Sequence, residues 1–390
     1  MHLLKKLFSF FVFVVFSFRV DCLLSFPEDL KSKNILFHSV ENETNLFERN
    51  AYEKAYPASI TKIVTYIVVY ENTKDKNEEI IADKELLDSL NGTDSSLANL
   101  KPGKSYSTGT LLKSMMICSG NDSALILANH IGCGVPNFIS MMNQKVKDLG
   151  CVNTHFVNPH GLHDENHYST CADLLKIIKY AMKIEDFKKT VRTVSFNLDG
   201  NTVTNTNKLL NPKNSKYYLR YCYGVKTGSH DEAGFCLSSA AGNDELGNYI
   251  CICLGAPKYD EHNEKMKDNY AMLDSKKLYE WAFSNYKLVE FPIGSIKLPS
   301  LETNKYNIPI DFDIKPFSVL IPVDTKVSDI NYKFCLPDNV DVSKPLEKGS
   351  LLGSLVLDIP PNTTKRVDVY SKNSLSANFY QKFVWLLSFL

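Results

Sequence analysis

The sequence has no excess of either charge: 44 basic and 44 acidic residues cancel over 390 positions. Without residues 1–21, which hold Lys5, Lys6, Arg19 and Asp21, the balance is 41 to 43. Nucleic-acid binders draw their affinity from a basic surface, so that class is excluded and no nucleic-acid partner is expected. The low apolar content of a disordered chain is also missing. The chain is 44% hydrophobic and long enough for two domains with substantial cores. Its final apolar run, Phe383 to Leu390, is too short to span a bilayer.

At the start, Lys5-Lys6 precedes the apolar run Leu7 to Phe16, which reads as a secretory signal peptide over residues 1–21. No small-residue cleavage site stands before Cys22, so an uncleaved anchor is the alternative. Lipidation of Cys22 is a weaker one, with Val20 and Asp21 as poor neighbours. At the other end, Leu375, Phe379, Phe383, Leu386, Leu387 and Leu390 recur at helical spacing. They predict an amphipathic helix over 372–390 that lies in a membrane surface or docks on its own protein. Ten cysteines in an exported chain leave disulfides open. Cys251 and Cys253, however, alternate on one expected strand, and Cys118 and Cys236 sit in apolar runs, as buried thiols would.

Between these ends, Ile35–His38 and Leu46–Phe47 read as two strands around a polar turn. Helical stripes follow at Leu111, Leu112, Met115 and Met116, then Ala124 to Ile131, then Phe138 to Leu149 with Gly150 as C-cap, then Asp173 to Ile178. Asp173 is expected to cap its helix with Ser169 or Thr170. Strands return at Phe235–Ala240 and Tyr249–Leu254 around Gly242-Asn243-Asp244, and 268–286 looks helical. Early and late strands with helices between them predict one mixed sheet with a helical subdomain at about 75–190, all within 22–288. Short strand-like runs at Ile308–Ile310, Phe317–Ile321, Val340–Val342 and Leu355–Leu357 predict a small β-sandwich over 289–371.

Three short stretches carry chemistry. Pro57 suits a helix start, which places Ser59 and Lys62 one turn apart, a nucleophile beside its base. Such a lysine must be neutral, which calls for a partly dry, positively charged pocket. The same spacing occurs at Ser284 and Lys287, so the pair alone is a weak signal. Ser119 and Asn121 lie two apart between expected helices, a spacing repeated at Ser32 and Ser371. Lys226-Thr227-Gly228, followed by Ser229, is the single Lys-Thr-Gly of the chain, at the edge of the late strands. It can present a cation, a hydroxyl and close backbone access to a carboxylate.

Ser59-x-x-Lys62, Ser119-x-Asn121 and Lys226-Thr227-Gly228 occur in the order found in penicillin-binding proteins and serine β-lactamases. From about 33 to 285 the chain more narrowly resembles the low-molecular-mass D-alanyl-D-alanine carboxypeptidases of serine peptidase family S11. Leu100-Lys101-Pro102-Gly103, Asn153-Thr154-His155-Phe156, His160-Gly161-Leu162 and His167-Tyr168-Ser169-Thr170 support this. The resemblance implies the α/β (α+β) transpeptidase fold of those proteins, with its inserted helical subdomain and a C-terminal β-sandwich. It implies catalytic roles for Ser59, Lys62 and Ser119, and substrate contacts from Asn121, Lys226, Thr227, Gly228 and Ser229. Backbone N–H groups of Ser59 and Ser229 would form the oxyanion hole. Implied partners are peptidoglycan stem peptides, β-lactams as covalent inhibitors, and the membrane through the terminal helix, at the outer face of the cytoplasmic membrane. No cofactor or metal is implied. Relatives with histidine directly after Lys-Thr-Gly differ from this chain, which has Ser229 and then His230. No Glu-x-x-Leu-Asn stretch supplies a β-lactamase deacylating base, so fast β-lactam hydrolysis is not expected.

The rival chemistry is a metal site. His155, His160, His163 and His167 cluster, and His163 and His167 are four apart beside carboxylates. Glycine and asparagine among them suggest a loop with ordinary hydrogen bonds rather than a zinc helix. A transpeptidase or endopeptidase would use the same serine and lysines, and a non-catalytic wall-binding scaffold is the alternative outside enzymes.

Overall fold

Ile35, Leu36 and Phe37 are fully buried in β1 (Asn34–Ser39), so the first strand is covered on both faces. A polar turn returns the chain antiparallel as β2 (Thr44–Arg49). Much later β3 (Cys222–His230), β4 (Gly234–Asn243) and β5 (Gly247–Ala256) close a five-stranded sheet in the order β2-β1-β5-β4-β3. The computed structural model describes residues 25–296, 302–303, 306–307, 312–335, 344–360, 363–374 and 376–377. The signal segment with Cys22, the runs Ile308–Ile310 and Val340–Val342, and the apolar positions of the terminal helix lie outside the described residues.

Side chains on β5 alternate between two cores, as a strand's period of two requires. Ile250, Ile252 and Leu254 face one, and Tyr249, Cys251 and Cys253 the other. The first core holds the helices between the strand sets: α1 (Lys62–Asn72), α2 (Thr108–Ile117), α3 (Asn121–Gly132), α4 (Val135–Asp148), α5 (Cys171–Ala181) and α6 (Glu185–Arg192). Helix α1 is buried from Lys62 to Val69, which makes it the central helix of the layer. Met115, Met116 and Met142 are core residues there, as their spacing predicts. On the other face α7 (Tyr270–Asn285) packs Leu278 and Tyr279 against Phe37 and Tyr249.

Caps fall where the sequence signals them. Ser107 accepts the Thr110 N–H at the start of α2, and Gly150 takes a φ of 75° after α4. Of the two residues offered for α5, Thr170 is the cap, accepting from the Asp173 N–H. The Asp173 carboxylate itself accepts from the Asn153 N–H and the Thr154 hydroxyl. Nine described cysteines are free thiols, and Cys251 and Cys253 point the same way with sulfurs 3.7 Å apart.

Beyond α7, β6 (Tyr286–Glu290) pairs with β8 (Ser318–Pro322). A second sheet runs β7-β11-β10-β9, with β7 Phe312–Asp313, β9 Asn331–Cys335, β10 Leu351–Ile359 and β11 Thr363–Ser371. Val319, Ile321, Leu355, Leu357 and Val369 share one apolar core between them. Asn42 fastens this unit to the main sheet, donating to the Leu320 carbonyl at 2.7 Å and accepting its N–H at 2.9 Å. Among the described residues no single helix is long and apolar enough to cross a membrane.

Candidate active site

Pro57 leads into a 3₁₀ turn, Ala58–Thr61, and α1 starts at Lys62. The expected helical turn is therefore the tighter kind, in which residues i and i+3 eclipse, and Ser59 and Lys62 are stacked more directly than in an α-turn. Ala58 takes a φ of 47°, a left-handed state that costs an L residue about 1–3 kcal/mol. Two glycines make room for this strained corner. A Cβ on Gly161 would fall 2.0 Å from the Ala58 carbonyl oxygen, and one on Gly228 would fall 2.9 Å from the Ser59 nitrogen. Ser59 is thus held between the 160–161 loop and β3.

Lys62 has no exposed surface. Its Nζ lies 2.8 Å from Ser59 Oγ, 2.6 Å from Asn121 Oδ1 and 2.7 Å from the His160 carbonyl oxygen. Burial first, and the Lys226 cation second, hold the amine well below the usual lysine range. A neutral amine has two N–H donors and one lone pair. Both carbonyl contacts accept only, so they take the two N–H groups and the lone pair is left for the Ser59 hydroxyl. The geometry therefore selects Ser59 as the proton donor to Lys62.

Asn121 opens α3, and its Nδ2 donates to Ser95 Oγ at 2.8 Å. Asp122 follows, with its carboxylate buried and accepting the N–H groups of Ala98 at 2.9 Å, Leu100 at 3.2 Å and Ser123 at 2.8 Å. Ser119 precedes them, buried and at a φ of 65°. Neighbouring Cys118 is inert, since burial pushes its thiol up to about 11.

On β3, Lys226 is buried and donates to the Thr227 carbonyl at 2.9 Å; burial pushes its amine down to about 7. The Lys226 cation is in turn one cause of the depressed Lys62 amine. Thr227 Oγ1 lies 2.6 Å from Thr206 Oγ1, Gly228 abuts the Ser59 nitrogen, and Ser229 is exposed beyond them. Direct bonds thus join Ser59, Lys62 and Asn121, and β3 lies against the same turn. Sequence reading missed the His160 carbonyl, Ser95 and Thr206, whose positions carry no local signal. Asp122 had one, an acid in the first turn of a helix.

The four loop histidines do not converge on one centre. His155 Nδ1 donates to the Asn166 carbonyl, and His160 Nδ1 accepts the Leu162 N–H. His167 accepts the Val157 N–H on Nδ1, so its Nε2 donates to Thr61 Oγ1 at 2.7 Å. His163 turns instead toward Tyr56 and His230.

A half-buried serine beside a buried lysine under a helical layer, with a cationic strand edge across from it, defines a serine enzyme of the penicillin-recognising fold. The family model of D-alanyl-D-alanine carboxypeptidases, S11, matches residues 25–258, and the chain belongs to that family. It is 31% identical over 341 residues to the D-alanyl-D-alanine carboxypeptidase DacF of Bacillus subtilis, covering 82% of this chain and 79% of the relative. Penicillin-binding protein 5 from Haemophilus influenzae has a similar structure, with a TM-score of 0.71, 25% identity, and coverage of 90% of this chain and 99% of that one. The Streptomyces K15 DD-transpeptidase matches with a TM-score of 0.59 and 27% identity over 66% of this chain and 99% of its own.

Proposed function

We propose that the protein removes the terminal D-alanine from peptidoglycan pentapeptide stems through an acyl-serine intermediate. The observation that carries this reading is the Lys62 amine, buried and bracketed by two carbonyl acceptors, with Ser59 Oγ at 2.8 Å. Ser59 Oγ attacks the carbonyl of the penultimate D-alanine as Lys62 takes its proton. Backbone N–H groups of Ser59 and Ser229 stabilise the oxyanion, each by about 3 kcal/mol. Ser119 passes a proton to the departing amine as the C–N bond breaks, while Asn121 holds Lys62 and the substrate amide. Lys226 and Thr227 receive the terminal carboxylate, whose charge draws the Lys226 amine back to its cationic form. Water then hydrolyses the ester. A β-lactam enters by the same attack. Residues 1–21 export the chain and 372–390 hold it on the outer face of the cytoplasmic membrane; loss of membrane partition on deleting 372–390 tests the anchor.

The direct test combines labelling by a fluorescent penicillin with D-alanine release from a pentapeptide, for the parent and Ser59→Ala. Both signals should fall by about 10⁴-fold or more in the variant. A variant that labels and hydrolyses like the parent would remove Ser59 as nucleophile. Labelling without D-alanine release would move the function to transpeptidation or crosslink cleavage on the same serine.

A further inference from the structure

His163, His230 and Glu232 stand apart from the serine chemistry. They lie on two segments: the loop that carries Gly161 against Ala58, and the end of β3 just past Ser229. One ligand atom from each lies within 4.8 Å of the other two. The imidazole rings of His163 and His230 are 5.2 Å apart, and the Tyr56 ring stands edge-on to His163 at 4.7 Å. The ring nitrogens of His163 make no hydrogen bond among the described residues.

His230 Nδ1 faces a donor, the Ala233 N–H at 3.1 Å, and an acceptor, Glu232 Oε2 at 2.9 Å. A neutral ring with its proton on Nδ1 donates to Glu232 and leaves its lone pair on Nε2.

We infer that His163, His230 and Glu232 bind a divalent transition-metal ion of the Zn²⁺ type. Two imidazoles and one carboxylate are a zinc ligand set that leaves a position for water. Bonds of about 2.0–2.2 Å in a tetrahedron set the donors about 3.3 Å apart, so the cluster must contract by up to about 1.5 Å. His163 is exposed and on a loop, and can make that movement. The ion ties the 160–163 loop to β3 and braces the His160 carbonyl on Lys62. It touches neither Ser59 nor Lys62, so its role is to hold the rim of the site.

The test is titration of the full chain in detergent with Co²⁺ and Zn²⁺, alongside His163→Ala and Glu232→Gln. Penicillin labelling of both variants verifies that each is folded. The parent should take up one Co²⁺ with visible ligand-field bands, and Zn²⁺ should displace it. Zn²⁺ at a hundredfold excess over its dissociation constant should raise Tm by about 5 °C. Each variant should bind at least about tenfold more weakly. Absence of binding at about 100 μM metal, unchanged binding in both variants, or a thiolate charge-transfer band from a cysteine site would each overturn the assignment.

Discussion

A lysine that must act as a base and a lysine that must stay a cation share one dry pocket, and their different partners separate them. Lys62 faces two carbonyl oxygens and a hydroxyl, with the Lys226 charge against it. Lys226, on the strand edge, is lowered by burial and sits at about 7. Activity therefore falls on the acid side as Lys62 gains a proton, and on the alkaline side above about pH 7 as Lys226 loses the charge that receives the carboxylate. Lys226→Arg keeps a permanent cation. In kcat/KM profiles for a pentapeptide between about pH 5 and 10, the alkaline limb should move up by more than about two units in Lys226→Arg while the acid limb stays. An unmoved alkaline limb would take the carboxylate role away from Lys226.

At the scale of elements, the start of α3 determines whether the first lysine has its partner. Asn121 fixes Lys62 on one side and Ser95 on the other, and Asp122 fastens the segment from Ala98 to Leu100 that follows Ser95. Asp122→Ala strands three backbone N–H groups, two of them from this segment, and should cost about 3 kcal/mol in urea unfolding. With Ser95 loosened, penicillin acylation should slow by about tenfold. Lost stability with parental acylation would show that the segment does not support the site. The elements themselves were legible because their signals are local. Helical spacing marked Met115, Met142 and Phe138 as core, and alternation paired Cys251 with Cys253. The 3₁₀ form of the Ser59 turn was not legible, because its cause is tertiary. Gly161 and Gly228 approach Ala58 and Ser59 from 102 to 170 residues away in the chain, and no local pattern records that approach.

At the scale of the whole molecule, the same long-range closure buries groups that would rather be charged in acid. His160 and His167 sit in the loop that completes the Lys62 pocket, and burial pushes both down to about 3 from an ordinary value of 6.5. Unfolded, each binds a proton below about pH 6.5; folded, each stays neutral until about pH 3. The unfolded state thus holds more protons between those limits, and the stability present above pH 6.5 is lost as pH falls. Each histidine adds a slope approaching about 1.4 kcal/mol per pH unit. Between about pH 6.5 and 5 most carboxylates remain ionised, so the histidines dominate the loss there. His167→Gln keeps an amide donor for Thr61 and cannot take up the proton. Its urea midpoint should fall less steeply across that window than the parent's, by about one proton's slope, even if it begins lower at pH 7. Equal slopes in the two proteins would mean that His167 is protonated in the folded state, and that the 160–167 loop admits water the buried geometry excludes.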